Sequence, residues 1–172
     1  MIELLRLILS ALVFSLVSTA LYALYHAITK KTALPIGRTA LVAAFSAYTF
    51  AILYVTLLSR PAIFFTIELD PIASYRRAAN APAHLAAIEI RNVLLNIVMF
   101  IPLGIFLPLA TPRFRKFCTL LPAALIAALA IETTQLATRR GVFSVEDILH
   151  NTLGAALGLA LFLLLTKIFK NP

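Results

Sequence analysis

What most constrains this chain is a series of five apolar stretches, each near the roughly 20 residues that a helix needs to cross a hydrocarbon core. They run approximately over Leu4 to Ile28, Thr39 to Leu58, Asn92 to Ala110, Phe117 to Ala137 and Ile148 to Phe169. Backbone polar groups in hydrocarbon have to be satisfied within the segment, so stretches of this kind fold as helices. Composition agrees, since 62% of the 172 residues are hydrophobic, 13% are charged and the mean hydropathy is +0.98. An ordinary soluble domain carries far more charge. The expectation is an all-α fold: a polytopic membrane helical bundle of about five transmembrane helices, with a short interfacial segment between helices 2 and 3. No linker, low-complexity tract or repeat divides residues 1–172, which read as a single domain.

The first stretch is too long for a typical secretory h-region and runs into His26, Lys30 and Lys31 without a small-residue cleavage site, so it reads as a retained helix. Asn92, Asn96, Pro102 and Pro108 interrupt the third stretch, and Pro122 and Glu132 the fourth. Such residues are tolerated where neighbouring helices satisfy the freed groups, which turns these two helices toward protein more than lipid.

Glu132 is the most telling of these residues. A charge within a membrane segment costs roughly 2.5–3.5 kcal/mol on insertion scales, so it marks a partner or a functional cavity. Gln135 and Arg139 follow it along one helical face, Asn92 and Asn96 stand one turn apart, and so do Asp147 and Asn151. Ser144 opens a capping-box-like pattern with Asp147 at the third helical position. Gly154 and Gly158 continue below as a small-xxx-small surface that admits a close neighbour.

Loop charge gives the orientation. With the N-terminus outside and the C-terminus in the cytoplasm, Lys30, Lys31, Arg38, Arg113, Arg115, Lys116, Lys167 and Lys170 fall inside, every lysine among them. Arg60, Arg76, Arg77 and Arg91 then lie in or beside the outer connection between the second and third helices, where phosphate or acidic partners give them a reason to be. Asn92, Asn96, Glu132, Gln135, Arg139, Asp147 and Asn151 share a depth toward that outer side. The net charge of +8 is then largely a feature of the cytoplasmic leaflet, and no nucleic-acid module is present in the sequence.

Two stretches resemble the VanZ-like integral membrane proteins: Asn92 to Pro108, reading NVLLNIVMFIPLGIFLP, and Ile131 to Gly158, reading IETTQLATRRGVFSVEDILHNTLGAALG. The similarity is strongest over residues 92–158. Upstream, Thr56-Leu57-Leu58-Ser59-Arg60 looks like the arginine-ended second helix of that family, and Asp70-Pro71-Ile72 is a weaker echo of its loop. The resemblance implies a multi-pass protein of the bacterial cytoplasmic membrane acting at the cell envelope, and it brings glycopeptide (teicoplanin) resistance into view as a role.

For function, the leading expectation is an outward-facing polar cavity that binds a polar or anionic headgroup of a membrane lipid or lipid-linked envelope precursor. Arg60, Asn92, Asn96, Glu132, Gln135, Arg139, Asp147 and Asn151 are its candidate ligand-binding residues. An alternative is an intramembrane enzyme with Glu132 or Asp147 as general base or nucleophile and arginine stabilising the developing charge. A further alternative is an assembly scaffold, in which Glu132 only pairs with Arg60, Arg139 or Arg140 and the asparagines are interhelical glue. No cofactor is expected. The histidines lack the spacing of a helical zinc site, so no metal is expected, and Cys118 has no partner for an intramolecular disulfide.

Residues 61–91 form the largest segment outside the membrane. Ile63, Phe64, Phe65 and Ile67 make a short apolar patch, and Pro82 to Arg91 can begin as a helix with Leu85 and Ile88 on one side. Lying at the outer interface, this segment is placed to cover the polar cluster as a lid.

Overall fold

The computed structural model of the chain describes residues 2–30, 35–61 and 65–170. Lys31, Ile63 and Phe64 lie outside the described residues. Six α-helices are present among those described: α1 (Ile2–Lys30), α2 (Ile36–Leu53), α3 (Ala73–Ala79), α4 (Ala83–Ala110), α5 (Phe117–Thr138) and α6 (Val145–Lys170). Five of the apolar helical segments are long enough to cross a membrane, with α2 continued by a π-helical turn over Tyr54–Leu58. The all-helical, five-span expectation holds.

The chain forms two compact units, Met1–Ser59 and Arg60–Pro172. In the first, α1 and α2 pair as a hairpin. The Ser15 hydroxyl donates to the Ala43 carbonyl at 2.8 Å, and the Phe14 and Phe50 rings meet at 5.5 Å between centroids. No residue of α2 is buried. Two apolar helices with one thin seam leave most side chains outward, as helices bathed in lipid do.

In the second unit α4, α5 and α6 enclose a core of Phe100, Leu120, Ala124, Ala128, Ile148, Ala155, Leu159 and Phe162. Along α5 the buried face is Leu120, Ala124, Ala128, Glu132 and Gln135, a helical stripe of small and apolar residues that ends in two polar ones. The same periodicity that packs the alanines therefore turns Glu132 inward. Between α4 and α6 there is no room for side chains at three glycines: a Cβ on Gly154 would strike the Ile97 carbonyl, one on Gly158 the Ile101 carbonyl, and one on Gly104 the Ala155 carbonyl. The small-xxx-small surface of α6 thus receives α4. At the far end of α4, Arg115 donates to the Pro108 carbonyl at 3.3 Å and lies over the Phe162 ring, satisfying a terminal acceptor that no further helical turn can reach.

The connection from residue 61 to α4 differs from the sequence expectation in one respect. Residues 83–91 are the opening turns of the 28-residue α4, continuous with the third span, because Glu89, Arg91 and Asn92 lower local hydropathy without interrupting the helix. The separate element is the short α3. A two-residue parallel pairing, with β1 (Ile67–Glu68) set against β2 (Phe143–Ser144), ties the start of this connection to the α5–α6 turn. Arg77 adds ion pairs to Glu68 at 2.6 Å and Glu89 at 3.2 Å. Partial burial opposes its charge, but the two carboxylates outweigh that and hold the guanidinium above its ordinary range.

Candidate functional site

The α5–α6 turn builds the site. The last turn of α5 closes on Arg139, which adopts a left-handed conformation (φ 56°) and whose N–H reaches the Leu136 carbonyl at 3.1 Å. Two residues later the α-carbon of Gly141 lies against the Gln135 side chain, with no space for a Cβ. Chain direction then reverses into Phe143 and Ser144. The Ser144 hydroxyl accepts the Asp147 N–H at 3.2 Å, the N-cap bond that its spacing predicts.

Glu132 reaches across this turn and accepts the Ser144 N–H at 2.9 Å, with only 2% of its surface exposed. Asp147, half-buried on the first turn of α6, takes a side-chain hydrogen bond from Asn96 of α4. The Asp147 charge acts on Glu132, and the exposed Arg60 acts electrostatically on both. Asn151 lies one turn below Asp147 on the same face of α6, 1% exposed, and its Oδ1 has no hydrogen-bond partner among the described residues.

Of the residues singled out from sequence, the structure gathers Arg60, Asn96, Glu132 and Asp147, with Asn151 beneath Asp147. Gln135 is buried beside them, against Gly141. Asn92 and Arg139 are exposed, and among the described residues no hydrogen bond joins either side chain to the cluster. Arg140, in contrast, donates to the Arg60 carbonyl at 3.3 Å, which fastens the arginine-bearing segment to the turn.

A second group belongs to the site that the sequence did not single out. Glu146, 1% exposed, accepts the Ser74 N–H of α3 at 2.8 Å, while its Oε1 has no partner among the described residues. His150, one turn further along α6, meets the Tyr75 hydroxyl of α3 through Nε2 at 3.0 Å, the rings standing edge to face. Its Nδ1 is likewise unpartnered among the described residues. Glu146 and His150 both act electrostatically on Asp147, so the two groups form one network. The available signal was the i, i+4 spacing of Glu146 and His150; their partners 72 and 75 residues upstream left none. Among the described residues, no three His, Cys, Asp or Glu side chains are disposed to hold a metal ion.

The pattern of the VanZ/LLP1 family matches residues 45–166, a span that begins in α2, ends in α6 and includes every residue of this network. The chain belongs to the VanZ/LLP1 family. Like the resemblance read from Asn92 to Gly158, the match makes it a multi-pass membrane protein of VanZ type, and the extent of the match carries that assignment upstream through Arg60 and α3. No curated protein and no solved structure matches the chain. Within the VanZ/LLP1 frame, carboxylates from two spans, an amide from a third and one guanidinium can bind a polar group by charge and hydrogen bonds or exchange protons with it.

Proposed function

We propose that this VanZ/LLP1 protein binds the polar headgroup of a lipid or lipid-linked envelope precursor at the network around Glu132 and Asp147, on the outer side of the cytoplasmic membrane. The observation that carries the reading is the Arg60 guanidinium acting on both carboxylates from an exposed position while they sit on separate spans. An exposed arginine beside one buried and one half-buried carboxylate can meet a phosphate, which its planar fork matches bidentately. The N-out, C-in arrangement, with every lysine inside, puts that arginine where envelope precursors are handled. Sequestering such a molecule would change access of a glycopeptide such as teicoplanin to its target, which gives this reading a route to resistance.

The test is lipid mass spectrometry on gently purified protein, set beside Arg60→Ala and Arg139→Ala. One copurifying phosphate-bearing species should disappear from Arg60→Ala while helix content is unchanged. An identical lipid complement in the unaltered protein and Arg60→Ala, or a cytoplasmic reporter signal from the α5–α6 turn, would sink the reading.

Catalysis on the same lipid-linked substrate is the second reading, favoured by the Tyr75–His150 contact with a buried His150 Nδ1 beside Asp147. A hydroxyl in contact with an imidazole can pass a proton, and a carboxylate nearby stabilises the imidazolium that forms. It requires a modified lipid that accumulates with the unaltered protein and is lost in Tyr75→Phe.

A further inference from the structure

The network is unevenly supplied with hydrogen-bonding groups. Glu132, Glu146 and Asp147 bring three carboxylates, against the single guanidinium of Arg60 that acts on Glu132 and Asp147. The donors are already engaged: Ser144 N–H on Glu132, Ser74 N–H on Glu146, and the Asn96 side chain on Asp147. Two acceptors on residues 1% exposed, Glu146 Oε1 and Asn151 Oδ1, lack a partner among the described residues. When the His150 proton sits on Nε2 to meet Tyr75, its Nδ1 is a third.

An unmet buried acceptor is costly, more so when charged, so the network is completed by a group that brings several donors and positive charge together. Of the arginines near the network, Arg77 is engaged by Glu68 and Glu89, and Arg60 is exposed. A quaternary ammonium has charge but no N–H. A primary ammonium offers three donors on one small cation.

We infer that the ligand carries a primary ammonium next to a phosphate, the ammonium entering among Glu132, Glu146 and Asp147 and the phosphate meeting Arg60. Phosphoethanolamine, as a lipid headgroup or as a dissolved compound, has this chemistry. The inference rests on the headgroup reading above and specifies which headgroup. Asp147, half-buried, and Arg60, exposed, are the members of the network open to solvent, and the unpartnered acceptors belong to buried residues.

The full-length protein in phosphatidylcholine vesicles doped with either phosphatidylethanolamine or phosphatidylglycerol tests it, read by mass spectrometry of the lipid retained on extraction. The three headgroups share a phosphate and differ in offering a primary ammonium, a quaternary ammonium or no cation. Phosphatidylethanolamine should be retained about tenfold over each of the others, a difference of about 1.4 kcal/mol. Glu146→Gln should bring the three near parity, whereas Arg60→Ala should lower retention of all three alike. Glu132→Gln keeps an acceptor for the Ser144 N–H and so keeps the turn; it too should lose the preference, which covers the case where Glu146→Gln fails to fold. Once the phosphatidylethanolamine preference is seen, displacement by dissolved O-phosphoethanolamine identifies a soluble phosphoamine as the ligand, and failure to displace identifies the lipid. Equal retention of phosphatidylcholine, or a preference that survives in folded Glu146→Gln and Glu132→Gln, overturns it. Retention of phosphatidylglycerol alone overturns the ammonium and leaves the headgroup reading standing, while retention of no phospholipid removes both.

Discussion

Glu132 and Ser144 are joined across the α5–α6 turn by a 2.9 Å bond from backbone N–H to carboxylate, both residues being buried. The carboxylate that looks like a membrane anomaly in the sequence is also what satisfies the peptide N–H just before α6. Glu132→Leu should therefore lower stability by about 1–3 kcal/mol, the cost of leaving a buried donor unmet. Glu132→Gln should cost less, because its carbonyl still accepts. Chemical denaturation in detergent micelles checks the order of the two variants; Leu as stable as Gln would contradict it.

The α4–α6 seam makes a sharper prediction. Ala at Gly154 or Gly158 puts a methyl onto the carbonyls of Ile97 or Ile101. Backbone cannot yield as a flexible side chain can, so each variant should lose about 1–3 kcal/mol, the range for overpacking, or more. Ala at Gly37, in the first turn of α2 with nothing within 4 Å, should leave thermal stability unchanged or slightly raised, since glycine is the poorer helix former.

Arg139 holds a left-handed backbone at φ 56° without being glycine. Gly there removes a steric cost of roughly 1–2 kcal/mol while adding unfolded-state entropy of about 0.5–1 kcal/mol, so Arg139→Gly should be neutral to slightly stabilising. Arg139→Ala keeps the strain and should not gain. Melting curves of the two variants side by side decide the point.

Tyr75 and Ser74 hold α3 to the head of α6 through His150 and Glu146. Removing the Tyr75 hydroxyl takes away one hydrogen bond, worth about 0.5–1.5 kcal/mol. Amide exchange over residues 73–79 should quicken in Tyr75→Phe and more so in Glu146→Ala, with α5 unaffected. Unchanged protection in both variants would mean that α3 is held by something else.

The spans were legible because apolar length is a direct physical requirement of the bilayer. So was the Ser144–Asp147 cap, whose three-residue spacing is set by helix geometry alone. Asn96 and Asp147 could be matched by depth, but the same argument included Asn92, which is exposed: one turn earlier α4 has already passed the close α4–α6 contact. The roles of Tyr75 and Ser74 were hidden because α3 is a seven-residue helix without strong amphipathic signal, docked by residues distant in sequence. An acid in the first turn of a helix is ordinary, and nothing local to Glu146 tells that α3 covers it. A two-residue β pairing carries no periodicity from which it could be read.

The glycine contacts between α4 and α6 have a mechanical consequence. Where one backbone rests directly on another, there are no intervening side chains whose rotamers could let the pair ratchet or part by degrees. Asn96 and Asp147 are mounted on those two helices and are kept in fixed register by that contact. The segment bearing Arg60 is tied to the turn through the Arg140 hydrogen bond and α3 through side chains of α6, ties that can be exchanged one at a time as the backbone contact between α4 and α6 cannot.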